Sequence, residues 1–264
     1  MITLQSLHTF PIKSTKGIRL DRSYVELAGL SFDRRFILAK DDGSFISARR
    51  TPQLLHFSTA VTAWGLQVIA PDGDTLDIRL PELFDNYRQV TVWGTEINGQ
   101  HCSAEIDEWF SAKLKTECSL LYFGEQSERF TSRRPEAPVG FADGYPVLLI
   151  SQASLDDLNQ RAGQHFSMDQ FRPNLVVSGC EPFAEDTWQR IRIGTVEFEL
   201  VKPCSRCVMT TWHPDTLERY PKSEPLKTLA SYRRKEDGEV YFGQNLVPCN
   251  TGTVEEGDEV LIIA

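Results

Sequence analysis

Short runs in which apolar and polar residues alternate recur along the chain, and most are bounded by Gly, Pro or Asp. Clear examples lie at residues 90–93 and 196–200, and the closing apolar run at residues 260–263 is also interpreted as a strand. Because successive side chains of a strand point to opposite faces, this pattern predicts strands with one buried face. Turn signals such as Asp41-Asp42-Gly43 and Asn98-Gly99 separate these runs at short intervals. Such spacing favours antiparallel sheets that close into barrels.

Helical spacing is rarer. It is found at Ile106, Trp109, Phe110 and Leu114, at Leu155 and Leu158, and at Leu226 and Leu229. Ser154 is expected to cap the second of these helices, and Ser223 the third, with Pro225 in its first turn. The pattern as a whole predicts an α+β protein that is mainly β with peripheral helices.

The stretch from residue 123 to residue 139 is polar and contains two prolines and few candidates for a core. We interpret it as a connection or flexible loop. The chain is therefore expected to divide near residue 120, into an N-terminal region of residues 1–120 and a C-terminal domain of residues 121–264.

Composition and charge narrow the class of protein. With 264 residues, of which 41% are hydrophobic and 25% charged, the chain can bury a core without disulfides or metals. A net charge of -9 argues against nucleic acid as a polymeric partner. No apolar run is long enough to span a bilayer, and no secretory signal is present at the start. We therefore expect a cytoplasmic protein without a membrane partner.

Six cysteines in a chain of this length do not indicate a disulfide scaffold. Two of them, Cys204 and Cys207, flank Ser205 and Arg206 in the segment KPCSRC. Structural zinc needs four ligands, and only His213 is nearby, so zinc is disfavoured. A redox dithiol normally begins a helix, whereas the residues on both sides here are typical of strands. On residue types alone, two small apolar thiols that fill a core beside a turn remain an equal alternative.

Several familiar catalytic motifs are absent from the sequence. There is no GxxxxGK[ST], no GxGxxG after a strand, no HExxH and no GxSxG. Nucleotide-driven enzymes, simple zinc proteases and α/β-hydrolases are therefore disfavoured. Two other segments have the composition of an anion contact: Lys13-Ser14 ahead of a glycine, and Arg172 with Asn174 just before an apolar run.

Taken in order, the segments FPIKS, DRRF, FADGYP, FRPNLVVSGC, KPCSRC and FGQN resemble the MOSC superfamily. The resemblance is to the branch that contains the mitochondrial amidoxime-reducing component and the bacterial YcbX protein, and it covers essentially the whole chain. It implies a MOSC β-barrel in the C-terminal part and a smaller α/β N-terminal MOSC region, whose residues reach the same cleft.

The resemblance also implies a molybdenum–molybdopterin cofactor, with Cys207 as the single protein ligand of the metal and as the catalytic residue. Cys204 would be a neighbour, Cys180 a buried spectator, and Arg206 would help to keep Cys207 deprotonated. The matched motifs give the other cofactor contacts as Lys13, Ser14, Arg35, Asp143, Arg172, Asn174, Ser205, Arg206 and Asn245. Asn245 stands where animal members carry an aromatic residue.

The implied activity is reduction of N-hydroxylated compounds, such as amidoximes and N-hydroxylated bases, to amines. The bacterial relative carries a C-terminal ferredoxin domain, but here only Cys249 follows the KPCSRC segment. Electrons are therefore expected from a separate reductase or ferredoxin-like protein, unless the chain is truncated before such a domain. Two alternatives stay open: a non-catalytic carrier or sulfur-transfer domain for the cofactor, and a thiol oxidoreductase that uses Cys204 and Cys207.

Overall fold

The computed structural model describes the whole chain, Met1–Ala264. Its strands are β1 (Thr3–Thr9), β2 (Ile18–Leu20), β3 (Arg22–Glu26), β4 (Gly29–Leu30), β5 (Phe36–Ala39), β6 (Ser58–Thr62), β7 (Gly65–Ile69), β8 (Thr75–Arg79), β9 (Tyr87–Val92), β10 (Thr95–His101), β11 (Ser119–Tyr122), β12 (Val147–Ser151), β13 (Leu175–Ser178), β14 (Arg190–Ile193), β15 (Val196–Ser205), β16 (Tyr241–Pro248), β17 (Gly252–Glu255) and β18 (Val260–Ile262). The α-helices are α1 (Ala104–Leu114), α2 (Gln152–Ala162) and α3 (Leu226–Arg233).

Short 3₁₀ helices lie at Pro52–His56, Leu80–Glu82, Met168–Gln170, Ala184–Asp186, Val208–Thr211 and Pro221–Ser223. Many strands and three α-helices confirm the predicted class, mainly β with some helices. None of the helices is long and apolar enough to cross a membrane.

Contacts divide the chain into two compact units. Unit 1 contains residues 1–9, 19–31 and 145–264, and unit 2 contains residues 10–18 and 32–144. Both units are discontinuous in sequence, because the N-terminal strand belongs with the C-terminal half. The linear boundary near residue 120 stays a prediction about the extent of the two sequence regions.

The main sheet of unit 1 has eight strands in the order β18-β14-β15-β16-β12-β13-β1-β2. β12 and β13 are parallel, and β1 pairs antiparallel with β13. A second sheet has the order β17-β3-β4. Leu4, Leu149, Leu175 and Phe198 belong to the apolar core between these elements. The strands form open sheets, not the closed barrel that we expected, because alternation predicts strands without specifying their partners.

The two helices of unit 1 enclose a separate apolar cluster. Leu155 and Leu158 of α2 and Leu229 of α3 pack with Phe171 and Phe242 there. α2 begins after Ser151, not at Ser154 as predicted, because the Ser151 hydroxyl accepts the hydrogen bond from the backbone N of Ser154. Likewise α3 is preceded by Pro225 as its N-cap residue, not by the predicted cap Ser223.

Unit 2 is built from a four-stranded sheet, β5-β11-β10-β9, and a three-stranded sheet, β6-β7-β8. The predicted first helix is confirmed as α1, with the Ser103 hydroxyl accepting from the backbone N of Ile106. The predicted connection is also confirmed, because no helix or strand lies between Tyr122 and Val147. This connection contains a buried arginine, Arg129, whose contacts are described below.

Candidate functional site

The KPCSRC segment lies at the end of β15 in unit 1. Cys204 and Ser205 are the last residues of that strand, and Arg206 and Cys207 follow it. The backbone N of Arg206 donates to the carbonyl of Val240 at 2.7 Å, which fixes the turn against the residue before β16. Both cysteines are free and half-buried, whereas Ser205 is exposed. The two thiols therefore lie at a strand end that solvent reaches.

The residues after Cys207 form a 3₁₀ helix, Val208–Thr211, so the predicted strand at residues 208–212 is wrong. Two hydroxyls explain the difference. Thr210 Oγ1 donates to the Cys207 carbonyl at 3.0 Å, and Thr211 Oγ1 donates to the Val208 carbonyl at 2.7 Å. Side chains that bond to the preceding turn compete with strand formation, and β propensity does not include this effect.

The Arg206 side chain makes its polar contacts with Cys204 and Phe171, and not with Cys207. Its Nη1 donates to Cys204 Sγ at 3.1 Å and its Nη2 donates to the Phe171 carbonyl at 2.7 Å. The expectation that Arg206 helps to keep Cys207 deprotonated stays a prediction. The Nε–H of Arg206 is buried without a hydrogen-bond partner, which leaves one donor in this turn for an acceptor that the chain does not supply.

Three further predicted residues lie in unit 1: Arg172 and Asn174 just before β13, and Asn245 on β16. Arg172 adopts a left-handed backbone with φ 55°, two residues ahead of the buried Asn174. The Asn174 amide links two strands: its Oδ1 accepts from the backbone N of Leu148, and its Nδ2 donates to the His8 carbonyl, both at 3.1 Å. Asn245 Nδ2 donates to the Pro203 carbonyl at 3.4 Å. Their contacts with a cofactor stay predictions.

Unit 2 brings together two of the predicted residues, Lys13 and Asp143. Lys13 Nζ is buried and donates to the Phe141 carbonyl at 2.7 Å and to Asp143 Oδ1 at 2.5 Å. Ser14 follows with a left-handed φ of 76° and is also buried. Arg35 is half-buried, with its Cζ 5.8 Å from the centroid of the Phe123 ring.

The Asp143 carboxylate is held mainly by cationic groups. Desolvation by the surrounding protein atoms would raise its pKa, but the charge and hydrogen bond of Lys13, the Trp93 indole and the charge of Arg49 together hold that pKa below its ordinary value. Burial also lowers the pKa of Lys13, and the Asp143 charge opposes this effect. Asp143 is therefore an acceptor at neutral pH.

Three residues around Asp143 were not predicted from the sequence. Trp93 Nε1 donates to Asp143 Oδ1 at 3.0 Å, and Arg49 Nη2 lies 3.8 Å from Asp143 Oδ2. Arg129 donates to the carbonyls of Gly140, Ala142 and Asp143 at 3.0, 2.5 and 3.0 Å. The only sequence signal for any of them was the arginine-rich composition of the connection. Contacts between residues that are far apart in sequence leave no local pattern.

The remaining cysteines differ in environment. Burial raises the pKa of the Cys102 and Cys118 thiols, which makes them poor nucleophiles. Cys180 is half-buried, and burial together with Glu185 raises its pKa as well. Its predicted spectator role stays a prediction. No three His, Cys, Asp or Glu side chains are grouped so that they could hold a metal ion.

Comparison with protein-family models decides the family. Residues 1–117 match the MOSC N-terminal beta barrel domain, and residues 136–261 match the MOSC domain. The chain belongs to the MOSC family. The two matches lie in the N-terminal and C-terminal parts of the chain.

This MOSC protein is similar to named relatives along almost its full length. It is 34% identical to mitochondrial amidoxime-reducing component 1 of Mus musculus, over 99% of this chain and 82% of the relative. It is 36% identical to mitochondrial amidoxime reducing component 2 of Bos taurus, over 98% of this chain and 82% of the relative. It is also 31% identical to the molybdenum cofactor sulfurase of Oryza sativa, over 99% of this chain but 34% of the relative.

The ion pair of this MOSC protein gives a testable pH dependence. An Asp whose pKa is lowered in the folded state stabilises the fold above its unfolded pKa, and this stabilisation is lost as the pH falls. We expect the difference in Tm between wild type and Asp143→Asn to be largest near neutral pH and to shrink below about pH 4, close to the ordinary value of 3.8. Thermal unfolding from pH 7 to pH 2.5 measures it; a difference that does not depend on pH would contradict the pairing.

Proposed function

We propose that this protein is a molybdenum-cofactor-dependent reductase that converts N-hydroxylated compounds, including amidoximes and N-hydroxylated bases, to amines. An N–OH group, two electrons and two protons give an N–H group and water. The electrons would come from a separate donor protein, a reductase or a ferredoxin-like protein. The cofactor, when bound, would supply the two-electron step.

The observation that carries the proposal is the Cys207 thiol at the solvent-reached end of β15. The guanidinium of Arg206 donates to Cys204 and to the carbonyl of Phe171. The Cys207 sulfur is therefore available as a metal ligand. A metal held by one protein thiolate needs its other ligands from elsewhere, since no cluster of three protein ligands is present. A sulfur-rich pterin cofactor meets this requirement, and a soft thiolate suits it.

The other predicted residues divide by their chemistry. Lys13, Arg35, Arg172 and Arg206 are cations that suit a phosphate group, and Arg206 has one buried donor without a partner. Ser14 and Ser205 carry hydroxyls that donate or accept. Asp143, Asn174 and Asn245 can form hydrogen bonds with the N–H and C=O groups of a pterin ring. The side-chain amides of Asn174 and Asn245 also form hydrogen bonds with backbone groups.

The test is direct. Protein from an expression host that makes the cofactor is analysed for molybdenum and for pterin, and is then reduced with an artificial donor in the presence of benzamidoxime. We expect about one molybdenum per chain and formation of benzamidine that depends on the donor. Molybdenum-loaded protein that does not consume the amidoxime would refute the reductase proposal.

A second candidate is a non-catalytic carrier of the cofactor or a domain that transfers sulfur to it. The match to the rice molybdenum cofactor sulfurase over 99% of this chain favours this second candidate function. It would retain molybdenum and transfer the cofactor to an apo-enzyme, without turning over benzamidoxime. A thiol oxidoreductase would need no metal at all. The cytoplasmic location and the absence of a membrane or nucleic-acid partner stay predictions.

A further inference from the structure

Lys202 is a half-buried lysine without a partner of opposite charge. Three lysines of this protein are not exposed, namely Lys13, Lys113 and Lys202. Lys13 pairs with Asp143, as described above. Lys113 Nζ lies 2.9 Å from Asp74 Oδ2. No carboxylate lies within ion-pair distance of the Lys202 ammonium, and none of its N–H groups has a hydrogen-bond acceptor. Charged groups that leave water are normally paired, so an anion is expected to complete this site.

The Lys202 ammonium lies over an aromatic ring. Its Nζ is 5.8 Å from the centroid of the Tyr145 ring, and Tyr145 is buried. The ring face attracts a cation, so this contact holds the flexible lysine side chain in one place. The three N–H donors of the ammonium remain for acceptors that the chain does not supply. Lys202 is therefore a positioned cation whose donors are available to a ligand.

Lys202 belongs to a row of residues across the main sheet of unit 1. It pairs with Asn245 on β16, and Asn245 pairs with Leu148 on β12. Opposite residues of antiparallel strands have their side chains on the same face, so the ammonium and the Asn245 amide are neighbours. The row ends at Asn174, whose Oδ1 accepts from the backbone N of Leu148 at 3.1 Å. The unpaired cation thus lies on the same sheet face as Asn245, which is a predicted cofactor contact.

Strand β15 also places this cation close to the proposed metal ligand. Lys202 begins the KPCSRC segment and Cys207 ends it, and the strand itself ends at Ser205. An extended residue advances about 3.3 Å, so Lys202 lies roughly 10 Å along the strand from its end. This spacing suits a small molecule that carries an N–OH group at one end and an anionic group at the other.

We propose that Lys202 forms an anion subsite that binds a carboxylate or phosphate substituent of the substrate, so that acidic N-hydroxylated compounds are the preferred substrates. The inference rests on the proposed function for the N–OH group, whereas the anion follows from the unpaired ammonium. Lys202 is the specificity-determining residue, and Tyr145 is the positioning residue. The Asn245 amide can add a second donor, because only one of its N–H groups is used by the Pro203 carbonyl, at 3.4 Å.

The phosphate of the cofactor is an alternative source of the anion. The motifs already give that phosphate four cations, Lys13, Arg35, Arg172 and Arg206, and Lys202 is not among them. A substituent of the substrate is therefore the better-supported ligand of Lys202. The molybdenum and pterin content of a Lys202 variant distinguishes the two sources.

The experiment compares three substrates of the molybdenum-loaded protein: benzamidoxime, 4-carboxybenzamidoxime and the methyl ester of the latter. We expect wild type to prefer the carboxylate. Lys202→Met should lower kcat/KM for the carboxylate roughly 10-fold, through KM and not kcat, because a charged hydrogen bond is lost. For benzamidoxime and the ester, which carry no anion, kcat/KM should change less than about two-fold. Lys202→Arg should keep the preference, and Lys227→Met, at an exposed lysine of α3, should match wild type.

Binding is also measured without turnover. The full chain from a host that cannot make the cofactor is titrated with 4-amidinobenzoate, and with its methyl ester as the matched neutral ligand, while the ligand NMR resonances are followed. We expect wild type to bind the carboxylate at least about five-fold more tightly than the ester, and Lys202→Met to bind the two ligands equally. Added salt should weaken binding of the carboxylate to wild type, because it screens the charge of Lys202.

The outcomes separate this inference from the proposed function. Equal kcat/KM of wild type and Lys202→Met for the carboxylate, or equal binding of the acid and its ester by wild type, would overturn the anion subsite. Loss of molybdenum or pterin from Lys202→Met would overturn it in favour of the cofactor phosphate. Protein that binds 4-amidinobenzoate through Lys202 but reduces none of the three amidoximes would refute the reductase and leave the anion subsite standing. Reduction of benzamidoxime without any preference for the acid would do the reverse.

Discussion

Replacing Cys207 by Ser is expected to lower retained molybdenum to background and amidoxime reduction by at least about 100-fold. Loss of residues that only orient a metal ligand typically costs 10- to 100-fold, and loss of the sole protein ligand should cost more. Serine preserves the backbone carbonyl of residue 207, which accepts the Thr210 bonds, so the fold should be retained. Metal analysis and benzamidoxime turnover, with Tm as a check on folding, measure the effect.

Cys204→Ser is the matched control, because both thiols are free and half-buried in the same turn. It removes only the sulfur that accepts from Arg206, so it should retain molybdenum and most of the activity. Equal loss of molybdenum from the two variants would show that the ligand assignment is wrong. Equal loss of activity in a protein without molybdenum would instead support the dithiol mechanism.

Arg129→Ala is expected to cause the largest loss of stability in unit 2. It removes a buried guanidinium and leaves three carbonyls without a charged donor, at Gly140, Ala142 and Asp143. Hydrogen bonds to charged groups contribute about 1.5–3 kcal/mol each but are not additive, so the free energy of unfolding should fall by roughly 3–5 kcal/mol. For a chain of this size the Tm should fall by about 10 °C.

Arg133, an exposed arginine in the same connection, provides the control. Arg133→Ala should leave the Tm unchanged within about 1 °C, in keeping with the small effect of surface substitutions. The Tm of Arg129→Lys should lie between those of wild type and Arg129→Ala. A lysine retains the positive charge, but it lacks the planar guanidinium that donates to three carbonyls. Equal stability of Arg129→Ala and wild type would contradict the structural role.

Sequence patterns predicted the elements whose signals are local. The spacing of Ile106 and Phe110 gave α1. The patterns at residues 90–93, 196–200 and 260–263 gave strands that the structure contains, apart from Trp93 and Ile263. The ordered motifs indicated the family. Lys13 and Asp143, 130 residues apart, were predicted to serve one cofactor, and they form an ion pair.

What could not be predicted depends on tertiary contacts. Thr210 and Thr211 have strand propensity, yet their hydroxyls bond to the preceding carbonyls and make a 3₁₀ helix. The contact between Arg206 Nη2 and the carbonyl of Phe171 could not be predicted either, because the two residues are 35 positions apart in sequence. Trp93 looked like the last residue of a strand, and only its neighbours in the fold reveal the link to Asp143.

The order of strands in unit 1 determines when this protein can fold during its synthesis on the ribosome. β1 lies between β2 and β13, so its antiparallel partner is not synthesised until residue 178. β3 pairs with β4 close by in sequence, but its other partner, β17, begins only at residue 252. Pairings at such sequence distance are slow to form and leave apolar edges uncovered during translation. A nascent chain of this protein therefore needs protection until its last strands emerge, and fragments that stop at residue 120 are expected to aggregate.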